Sequence, residues 1–572
     1  MSIAALVAVF TCVVAQEDEN KNAPRTGVIS GRVVNENGQP VSHAVVFLGA
    51  PMDPTQARVS ATDDGGNFQI SGLDALLYTA SASAPGYVAT PRDAEALPSY
   101  YRIGDSVTVN LIKGGVITGT VVSPTGEPLV QAGVRAILIR DANGKPPGSG
   151  RFLVEKQTDD RGVYRLYGLS PGTYVVAAGG RGTFAYQGNA YDSDVPTYAP
   201  SSTRDTATEV TVRAGDETTL DIRYRGEAGQ AVSGVISGPV APFAGANISL
   251  MQTVNGVASP SAFSSQGYNR KGFALYGVAD GDYDLIAQSI VGPGQTMASE
   301  PRHITVKGVD ITGLEIVVKE LASIRGRVVM EPSTAAECKQ KRQPLLTETA
   351  VFARRNDQKT PRDQLIFPSF AVQAIPDKTG DFTLRNLTSG QFKLNARFFA
   401  KYWFLRSMVR DNGALPPRTA TVNRQSDLAR NGISLKFGER ISGVTVTLAA
   451  GAASLRGAVK PGEGESLPAK LYVHLVPAEK ENAEDVLRFF ATAVQADGTF
   501  AFNNLPPGRY WALARQATDN EPQPDTTSAI DEGEARAKIR RAAEAAKSEV
   551  EFKPCQNMIG YQVPLKISSL KN

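Results

Sequence analysis

The chain has 572 residues, a formal net charge of +3 and 42% hydrophobic residues. The near balance of charge excludes a broad basic field for nucleic acid or an anionic membrane surface, and the hydrophobic content is too high for a disordered chain. Glycine (54 residues) and proline (35 residues) are frequent, whereas charged residues make up only 20%. This composition is typical of many short strands joined by turns.

Residues 1–15 have the pattern of a secretory signal peptide. An apolar run at 3–14 ends in small residues before Gln16, and it is shorter than the roughly 20 residues that a membrane-spanning helix requires. No lysine or arginine precedes the run, so an uncleaved anchor and a lipid-modified Cys12 stand as alternatives. Residues 16–26 are polar and predict a disordered linker. We therefore expect an exported chain with no transmembrane span after cleavage.

A ladder of glycine, aromatic and aliphatic residues recurs five times along the chain. Its clearest copy comprises Gly162, Tyr164, Leu166, Leu169, Gly172 and Tyr174. Copies that begin at Gly66, Gly272, Gly380 and Gly498 have the same spacing after the first aromatic residue, although Leu76 replaces the second glycine in the first copy. Because alternate residues of a strand face the same side of a sheet, each copy predicts two buried strand faces separated by turns.

The five ladders predict an all-β fold: five tandem Ig-like or prealbumin-like β-sandwiches in an elongated array, with a C-terminal α-helix. The predicted units are residues 27–113, 114–226, 227–320, 321–450 and 451–518. The closing strand of each unit runs almost directly into the opening strand of the next. Such short junctions predict a semi-rigid string of units.

Aromatic insertions distinguish the second and fourth units from the others. The second unit carries Tyr186, Tyr191 and Tyr198, and the fourth carries Tyr402 and Trp403 within a longer aromatic run. Flat rings can stack on sugar faces or anchor a protein partner. These five residues are the candidate ligand-binding set, and local packing is the alternative for each of them.

Two cysteines, Cys338 and Cys555, remain if residues 1–15 are removed. In an exported protein an even pair can form a disulfide, and the sequence leaves this pairing and two separate thiols equally open. The adjacent acids at 63–64 and 159–160 are not repeated in the other ladders. We interpret them as turn residues and not as calcium ligands.

Residues 519–572 are predicted to form a linker, an amphipathic helix and an apolar tail. Asp531 is a suitable N-cap, and an apolar stripe comprises Ile539, Ala543, Ala546 and Val550. The helix either packs on the last sandwich or presents this stripe to a partner or to the envelope.

The opening strands and the ladder together resemble carboxypeptidase regulatory-like domains. The resemblance is carried by residues 29–34, 158–164 and 169–174 with their counterparts, and it extends from about residue 27 to residue 516. It implies seven-stranded, transthyretin-like sandwiches related to collagen-adhesin B-type modules and to starch-binding-like folds. Such domains occur in proteins of many functions, so the resemblance is specific for fold and weak for function.

Two activities of related proteins are not supported by the residues present. The peptidase that lends the domain its name holds zinc with two histidines and a glutamate, but His43, His303 and His474 are far apart and lack a glutamate at the required spacing. The adhesin modules often cross-link a first-strand lysine, and no lysine directly follows the opening-strand glycines here. We expect no metal, no cofactor and no catalytic site.

The predicted function is that of a non-enzymatic, exported binding or spacer protein of the cell envelope or exterior. Carbohydrate is the favoured ligand class and an envelope protein comes next. The alternative is an accessory subunit of a secreted enzyme or transporter, docked through the terminal helix, or a protein-binding adhesin-like module. No nucleic-acid partner is expected.

Overall fold

The computed structural model describes residues 26–51, 53–91, 99–145, 153–180, 190–239, 245–254, 257–266, 270–292, 295–339, 341–355, 371–410, 427–461, 467–468, 470–517 and 533–565. Strands dominate these residues and pair into ten sheets, which form five two-layered sandwiches. The all-β prediction is confirmed. The predicted signal peptide (1–15), the linker at 16–25, Tyr186 and Asp531 lie outside the described residues.

The first unit contains seven strands in two sheets. They are β1 (Thr26–Val34), β2 (Val45–Gly49), β3 (Arg58–Ala61), β4 (Asn67–Asp74), β5 (Thr79–Ser83), β6 (Tyr87–Ala89) and β7 (Ser106–Lys113). The sheet orders are β4-β1-β7-β6 and β3-β2-β5.

The second unit follows after a single linker residue, Gly114. Its strands are β8 (Gly115–Val122), β9 (Gly133–Asp141), β10 (Leu153–Gln157), β11 (Val163–Leu169), β12 (Gly172–Ala178), β13 (Thr197–Tyr198), β14 (Val210–Val212), β15 (Glu217–Thr219) and β16 (Ile222–Arg223). One sheet has the order β10-β9-β12-β13, with β14 also paired to β12. The other has the order β11-β8-β15, with β16 also paired to β8.

The third unit has its larger sheet on the side of the fourth unit. Its strands are β17 (Gln230–Ser237), β18 (Ala246–Val254), β19 (Val257–Gln266), β20 (Gly272–Val278), β21 (Gly281–Gly292), β22 (Gln295–Ala298), β23 (Arg302–Val306), β24 (Ile311–Val317) and β25 (Lys319–Glu320). The orders are β20-β17-β24 and β19-β18-β21-β22-β25, with β23 also paired to β21.

The fourth unit contains eight strands and a short helix, α1 (Leu428–Asn431). The strands are β26 (Ala322–Glu331), β27 (Thr349–Arg355), β28 (Ala371–Ala374), β29 (Asp381–Leu387), β30 (Gly390–Phe398), β31 (Trp403–Arg410), β32 (Ile433–Leu435) and β33 (Arg440–Ala450). The sheet orders are β29-β26-β33-β31 and β28-β27-β30-β32.

The fifth unit extends beyond the boundary predicted at residue 518. Its strands are β34 (Ala453–Lys460), β35 (Leu471–Pro477), β36 (Phe490–Ala493), β37 (Thr499–Leu505), β38 (Gly508–Gln516), β39 (Glu549–Phe552) and β40 (Asn557–Pro564). The orders β37-β34-β40 and β36-β35-β38-β39 show that the predicted tail supplies one strand to each sheet. The physical reason is closure of the core, because Val550, Phe552 and Val563 fill the same buried cluster as the ladder residues of this unit.

The predicted C-terminal helix is confirmed as α2 (Gly533–Ala546), which lies on the fifth sandwich. Ile539 and Ala543 are buried against Phe489 and Leu513. The predicted stripe is wrong at its last member, because Val550 lies in β39 after the helix has ended. The apolar face of the helix is therefore used within the chain.

All five units share one strand arrangement. The opening strand pairs antiparallel with the first ladder strand and parallel with the closing strand, as β1 does with β4 and β7 and as β26 does with β29 and β33. The inward ladder side chains fill a separate core in each unit. In the second unit Tyr164, Leu166 and Leu169 are at most 1% exposed, as the alternation of strand side chains predicts.

One residue of each ladder, directly before the second aliphatic position, adopts a left-handed conformation. The φ angles of these five residues lie between 57° and 74° for Gly72, Gly168, Gly277, Asn386 and Asn504. At the same place the pairing with the opening strand shifts register through a bulge. Glycine adopts this conformation without steric cost and asparagine tolerates it better than most residues, which explains the choice between these two.

From the second unit onward, this left-handed residue touches the preceding unit. The backbones of Gly114 and Gly168 approach so closely that a Cβ atom on Gly114 would lie 2.9 Å from the Cα of Gly168. A Cβ atom on Gly277 would lie 2.3 Å from the carbonyl oxygen of Asp194. Glycine is therefore needed at these junctions for close backbone approach as well as for its φ angle.

The two asparagines make the corresponding contact through their side chains. The Oδ1 of Asn386 accepts a hydrogen bond of 3.0 Å from the backbone N–H of Thr296 in the third unit. The Nδ2 of Asn504 donates to the carbonyl oxygens of Ala400 (2.8 Å) and Trp403 (2.7 Å) in the fourth unit. Each junction is thus held by a residue that also shapes the ladder.

A disulfide adds a covalent connection between the fourth and fifth units. Cys338, which follows β26, is bonded to Cys555, which lies between β39 and β40. Their Cα atoms are 5.5 Å apart, although 217 residues separate them in sequence. The backbone N–H of Cys555 also donates to the carbonyl oxygen of Gly451 at 2.9 Å. The insertion after β26 is thereby attached to the last sandwich.

The chain folds back so that the first unit contacts the fourth. Leu77 and Tyr100 of the first unit and Phe352 of the fourth belong to one buried cluster. The guanidinium carbon of Arg102 lies 5.2 Å from the ring centroid of Phe399. The elongated array predicted from the short linkers does not include this contact, for which the sequence carries no local signal.

A buried carboxyl group lies at the contact between the first and fourth units. Glu348 is 4% exposed, and its oxygens lie 3.7 Å from Arg102 and 3.6 Å from Arg342. Burial raises the pKa of the Glu348 carboxyl above its usual value of 4.5, while the two guanidinium groups act in the opposite direction. The folded chain therefore favours the protonated carboxyl more than the unfolded chain does.

The Tyr164→Ala variant is expected to lose about 3–5 kcal/mol in the free energy of unfolding of the second unit. The ring is 1% exposed, and its hydroxyl donates to the carbonyl oxygen of Leu220. Hydrogen–deuterium exchange of the second unit during denaturation measures the loss. Tyr167→Ala, at a side chain that is 56% exposed, is the control and should change little. A loss under about 1 kcal/mol for Tyr164→Ala would contradict the enclosed ring.

Two substitutions at Asn504 separate its backbone role from its side-chain role. Asn504→Gly keeps the left-handed backbone and removes both hydrogen bonds, so it should destabilise the junction by about 1–3 kcal/mol. Asn504→Ala adds the steric cost of the left-handed conformation, about 1–2 kcal/mol more. Denaturation of the full chain, combined with limited proteolysis at the junction, measures both losses. A glycine variant as stable as the native chain would show that the two bonds contribute nothing.

The contact between the first and fourth units should weaken as the pH rises above 4.5. The folded carboxyl of Glu348 has a raised pKa, so in the window between the unfolded and folded pKa values the folded state binds more protons. The stabilisation of the folded state by protonated Glu348 is complete at pH values below this window. It is lost as the pH rises through the folded pKa. Energy transfer between dyes on the two units reports the contact. The Glu348→Gln variant should lack this pH-dependent weakening of the contact. Parallel pH profiles for the variant and the native chain would refute the assignment of the effect to Glu348.

Candidate binding surface at the unit junctions

Two of the aromatic candidates are enclosed by local packing. Tyr198 is 8% exposed and Trp403 is 3% exposed. Tyr198 belongs to a small buried cluster with Ile137 and Val175, and Trp403 belongs to the core of the fourth unit. Neither ring leaves a face open for stacking on a sugar, so we remove both residues from the candidate ligand-binding set.

Tyr191 and Tyr402 are partly exposed, and both rings contact other side chains. Tyr191 packs edge-on against Tyr224, with 5.6 Å between the ring centroids. The ammonium group of Lys341 lies 4.6 Å from the centroid of Tyr402, and the Tyr402 hydroxyl accepts a hydrogen bond of 3.1 Å from Asn557. The bond from Asn557 connects the fourth and fifth units, whereas the other two contacts lie within single units. A ligand at either ring stays a prediction.

A cleft of about 370 Å³ lies between the third and fourth units. Its wall comprises Thr296 of β22 and Glu320 of β25 together with Leu321, and its floor is formed by β26, β29 and β33. This volume is within the range of about 300–1,000 Å³ that is usual for small-ligand sites. We define these residues and strands as the junction cleft.

The side chains on the floor of the junction cleft are determined by the alternation of residues along its strands. Its outward side chains are Ser323, Arg325, Thr383, Arg385, Arg440 and Ser442. The residues between them, Ile324, Leu384 and Ile441, are at most 4% exposed and face the core. Pairing of Arg325 with Thr383 and of Ser323 with Arg440 aligns the outward residues in two adjacent rows. Three guanidinium groups and three hydroxyls are thereby brought to one face.

The charge of the junction cleft is positive, because three guanidinium groups face one carboxylate. Arg440 forms an ion pair with Glu320 across the junction. Within the ranges that the structure describes, Arg325 and Arg385 form no ion pair with a carboxylate. Two cationic groups therefore remain available on the floor.

The wall of the cleft is fixed by the contact that defines the junction. The hydrogen bond from Thr296 to Asn386 attaches β22 to the end of β29. Strand β25, which carries Glu320, pairs with β22 through Met297. Strand β25 is followed after one residue by β26, so wall and floor are joined by the chain itself and by this side-chain bond, and the cleft is formed without a ligand.

Arg385 is not shared by any other repeat, whereas an arginine also stands at the position of Arg325 in the fifth unit. The position of Arg325 is occupied elsewhere by Ser30, Thr118, Ser233 and Arg456. The position of Arg385 is occupied elsewhere by Ser71, Tyr167, Tyr276 and Asn503. This site lies outside the aromatic insertions in which the sequence predicts a ligand surface. The available signal was Arg385, a cation at an outward-facing strand position that carries no charge in the other units.

The part of the chain that the structure describes contains no cluster of metal-ligating side chains. Among the residues placed by the structure, no group of three or more histidine, cysteine, aspartate or glutamate side chains is arranged to hold a metal ion. His43, His303 and His474 lie in the first, third and fifth units, respectively. In the same described ranges, no helix has the length and apolarity needed to cross a membrane.

Comparison with known proteins gives a family match in the first unit. Residues 28–109 match the carboxypeptidase regulatory-like domain. No curated protein matches the chain. Among solved structures, the Bacillus anthracis TIE protein is 15% identical over 52% of this chain and 51% of that chain, with a TM-score of 0.14. This chain therefore spans about half the length of that structure.

Two pilins are also similar to the chain. The Streptococcal ancillary pilin is 12% identical over 51% of this chain and 99% of that chain, with a TM-score of 0.15. The major pilin subunit of Bacillus cereus, BcpA, is 12% identical over 51% of this chain and 99% of that chain, with a TM-score of 0.13. This chain is a tandem β-sandwich protein whose first unit matches the carboxypeptidase regulatory-like domain and whose other four units repeat its strand arrangement.

Proposed function

We propose that the chain is a non-enzymatic, exported protein that binds carbohydrate in the junction cleft and uses its other units as a spacer at the cell envelope or exterior. The observation that carries this proposal is the preformed cleft, whose floor combines hydroxyl and guanidinium groups on three paired strands. Groups held on rigid strands bind with little loss of conformational freedom.

The chemistry of the lining is suited to sugars. The hydroxyls of Ser323, Thr383 and Ser442 can donate and accept hydrogen bonds. Sugar hydroxyls also act as both donors and acceptors. A polar, solvent-open floor of this kind supports recognition of an extended saccharide better than recognition of an apolar ligand.

The lining also favours binding over hydrolysis. Cleavage of a glycosidic bond ordinarily requires two carboxyl groups on either side of the bond. The junction cleft is lined by a single carboxylate, Glu320, and this group is paired with Arg440. The proposal is therefore a binding protein and not a glycosidase.

Export is supported by the bond between Cys338 and Cys555. Disulfides persist mainly in oxidising compartments, whereas cytosolic thiols are kept reduced. The apolar run at residues 3–14 provides a matching export signal. Both observations favour the envelope or the exterior over the cytosol.

The alternative of an accessory subunit loses its main support. That hypothesis used the apolar stripe of α2 as a docking element, but Ile539 and Ala543 are buried on the fifth sandwich. A protein-binding, adhesin-like role is the remaining alternative, and it is distinguished by the experiment that follows.

A glycan array and pull-downs from envelope extract, both with the full chain, test the proposal. Ser442→Trp should abolish glycan retention, because a bulky side chain on an exposed position fills the cleft without entering the core. Ser106→Trp, at an exposed position of β7, is the matched control and should retain glycans. If the native chain retains only proteins, the adhesin-like alternative replaces the proposal. If it retains nothing, only the spacer role stands.

A further inference from the structure

We infer that the junction cleft selects anionic oligosaccharides, with the negative group of a sugar held between Arg325 and Arg385. This inference rests on the proposed carbohydrate-binding function and names its ligand class. The two arginines lie on neighbouring strands, β26 and β29, in adjacent rows of the cleft floor.

Some outward arginines elsewhere on these sheets have carboxylate partners. Arg165 of β11 lies 2.8 Å from Glu217, and Arg327, two residues beyond Arg325 in β26, lies 2.7 Å from Asp381. Others donate to backbone carbonyl oxygens, as Arg32 does to Gly65 and Arg302 to Glu315. Within the described residues, Arg325 and Arg385 have neither a carboxylate at ion-pair distance nor a hydrogen-bond acceptor.

In the fifth unit, the residues at the positions of Arg325 and Arg385 bind each other. Its Arg456 stands where the fourth unit has Arg325, and it donates to the Oδ1 of Asn503 at 3.1 Å. The fourth unit has Arg385 in place of that acceptor. Diagonal neighbours on paired strands are within reach of long side chains, and like charges there are unfavourable. The acceptor Asn503 of the fifth unit is therefore replaced in the fourth unit by the cation Arg385. The two arginines of the fourth unit leave a place for an external anion.

Guanidinium groups are well matched to this task. Their planar donors form paired, charge-assisted hydrogen bonds with carboxylate oxygens and also bind other oxyanions. The neighbouring hydroxyls of Ser323 and Thr383 remain available for the sugar hydroxyls. A uronate or a sulfated sugar presents both kinds of group at once.

Nucleic acid fits the cleft less well. Single-stranded nucleic acid is held by a charged groove together with aromatic stacking platforms, and the lining of the junction cleft contains no aromatic residue. The net charge of +3 is also too small for a long basic track. The positive charge is local, as expected for a short anionic segment.

Calorimetric titration of the full chain with an oligogalacturonate tests the inference. A neutral galactose oligomer of the same length should not bind, and added salt should weaken binding of the acidic oligomer. Arg325→Ser and Arg385→Ser should each weaken it about tenfold or more, and serine already stands at both positions in the first unit. Arg456→Ser removes the same charge from the fifth unit and should leave the affinity unchanged. Thermal unfolding verifies that all variants are folded.

The possible outcomes separate this inference from the function on which it rests. Equal affinity for the neutral and acidic oligomers, or full affinity in both cleft variants, would overturn the anion site and leave carbohydrate binding intact. Failure of every oligosaccharide to bind overturns both. Tighter binding of oligoglutamate than of any saccharide overturns the inference in favour of an acidic peptide. A preference for a sulfated oligomer over the uronate supports it and assigns the negative group as sulfate.

Discussion

The left-handed residue before the second aliphatic position of each ladder is the constraint on which the array depends. Its bulge lets the opening strand keep its pairing while the next side chain enters the core. The same residue faces the preceding unit, so the local geometry of one sandwich determines how the next is attached. Where two backbones meet, glycine is required. Where the gap is wider, the side chain of Asn386 or Asn504 spans it with hydrogen bonds.

The junction cleft is a consequence of this attachment. Asn386 holds the wall strand through Thr296, and the preceding residue in β29, Arg385, lies on the cleft floor. Asn386, which makes a structural contact, and Arg385, a candidate recognition residue, are thus neighbours in sequence with different roles. Because the repeat needs only the inward positions for folding, the outward positions were free to differ between units. The two unpaired arginines occupy such outward positions.

Contacts between distant parts of the chain add a second level of organisation. The disulfide from Cys338 to Cys555 joins the last two units, and the cluster around Tyr100 and Phe352 joins the first unit to the fourth. The fourth unit is therefore held by the third, the fifth and the first, and it carries most of the junction cleft. A cleft supported from several directions keeps its shape at little cost in conformational entropy on binding.

The sequence by itself determined the strand class, the five repeats and the buried ladder positions such as Tyr164, because these follow from period-two alternation and the spacing of turn glycines. It also located the terminal helix from its 3.6-residue period. Only the tertiary structure decided that Val550 lies in a strand, that Tyr198 and Trp403 are enclosed, and that Arg325 and Arg385 share a floor. The physical reason is that these facts depend on pairing between segments far apart in the chain, for which local patterns carry no information.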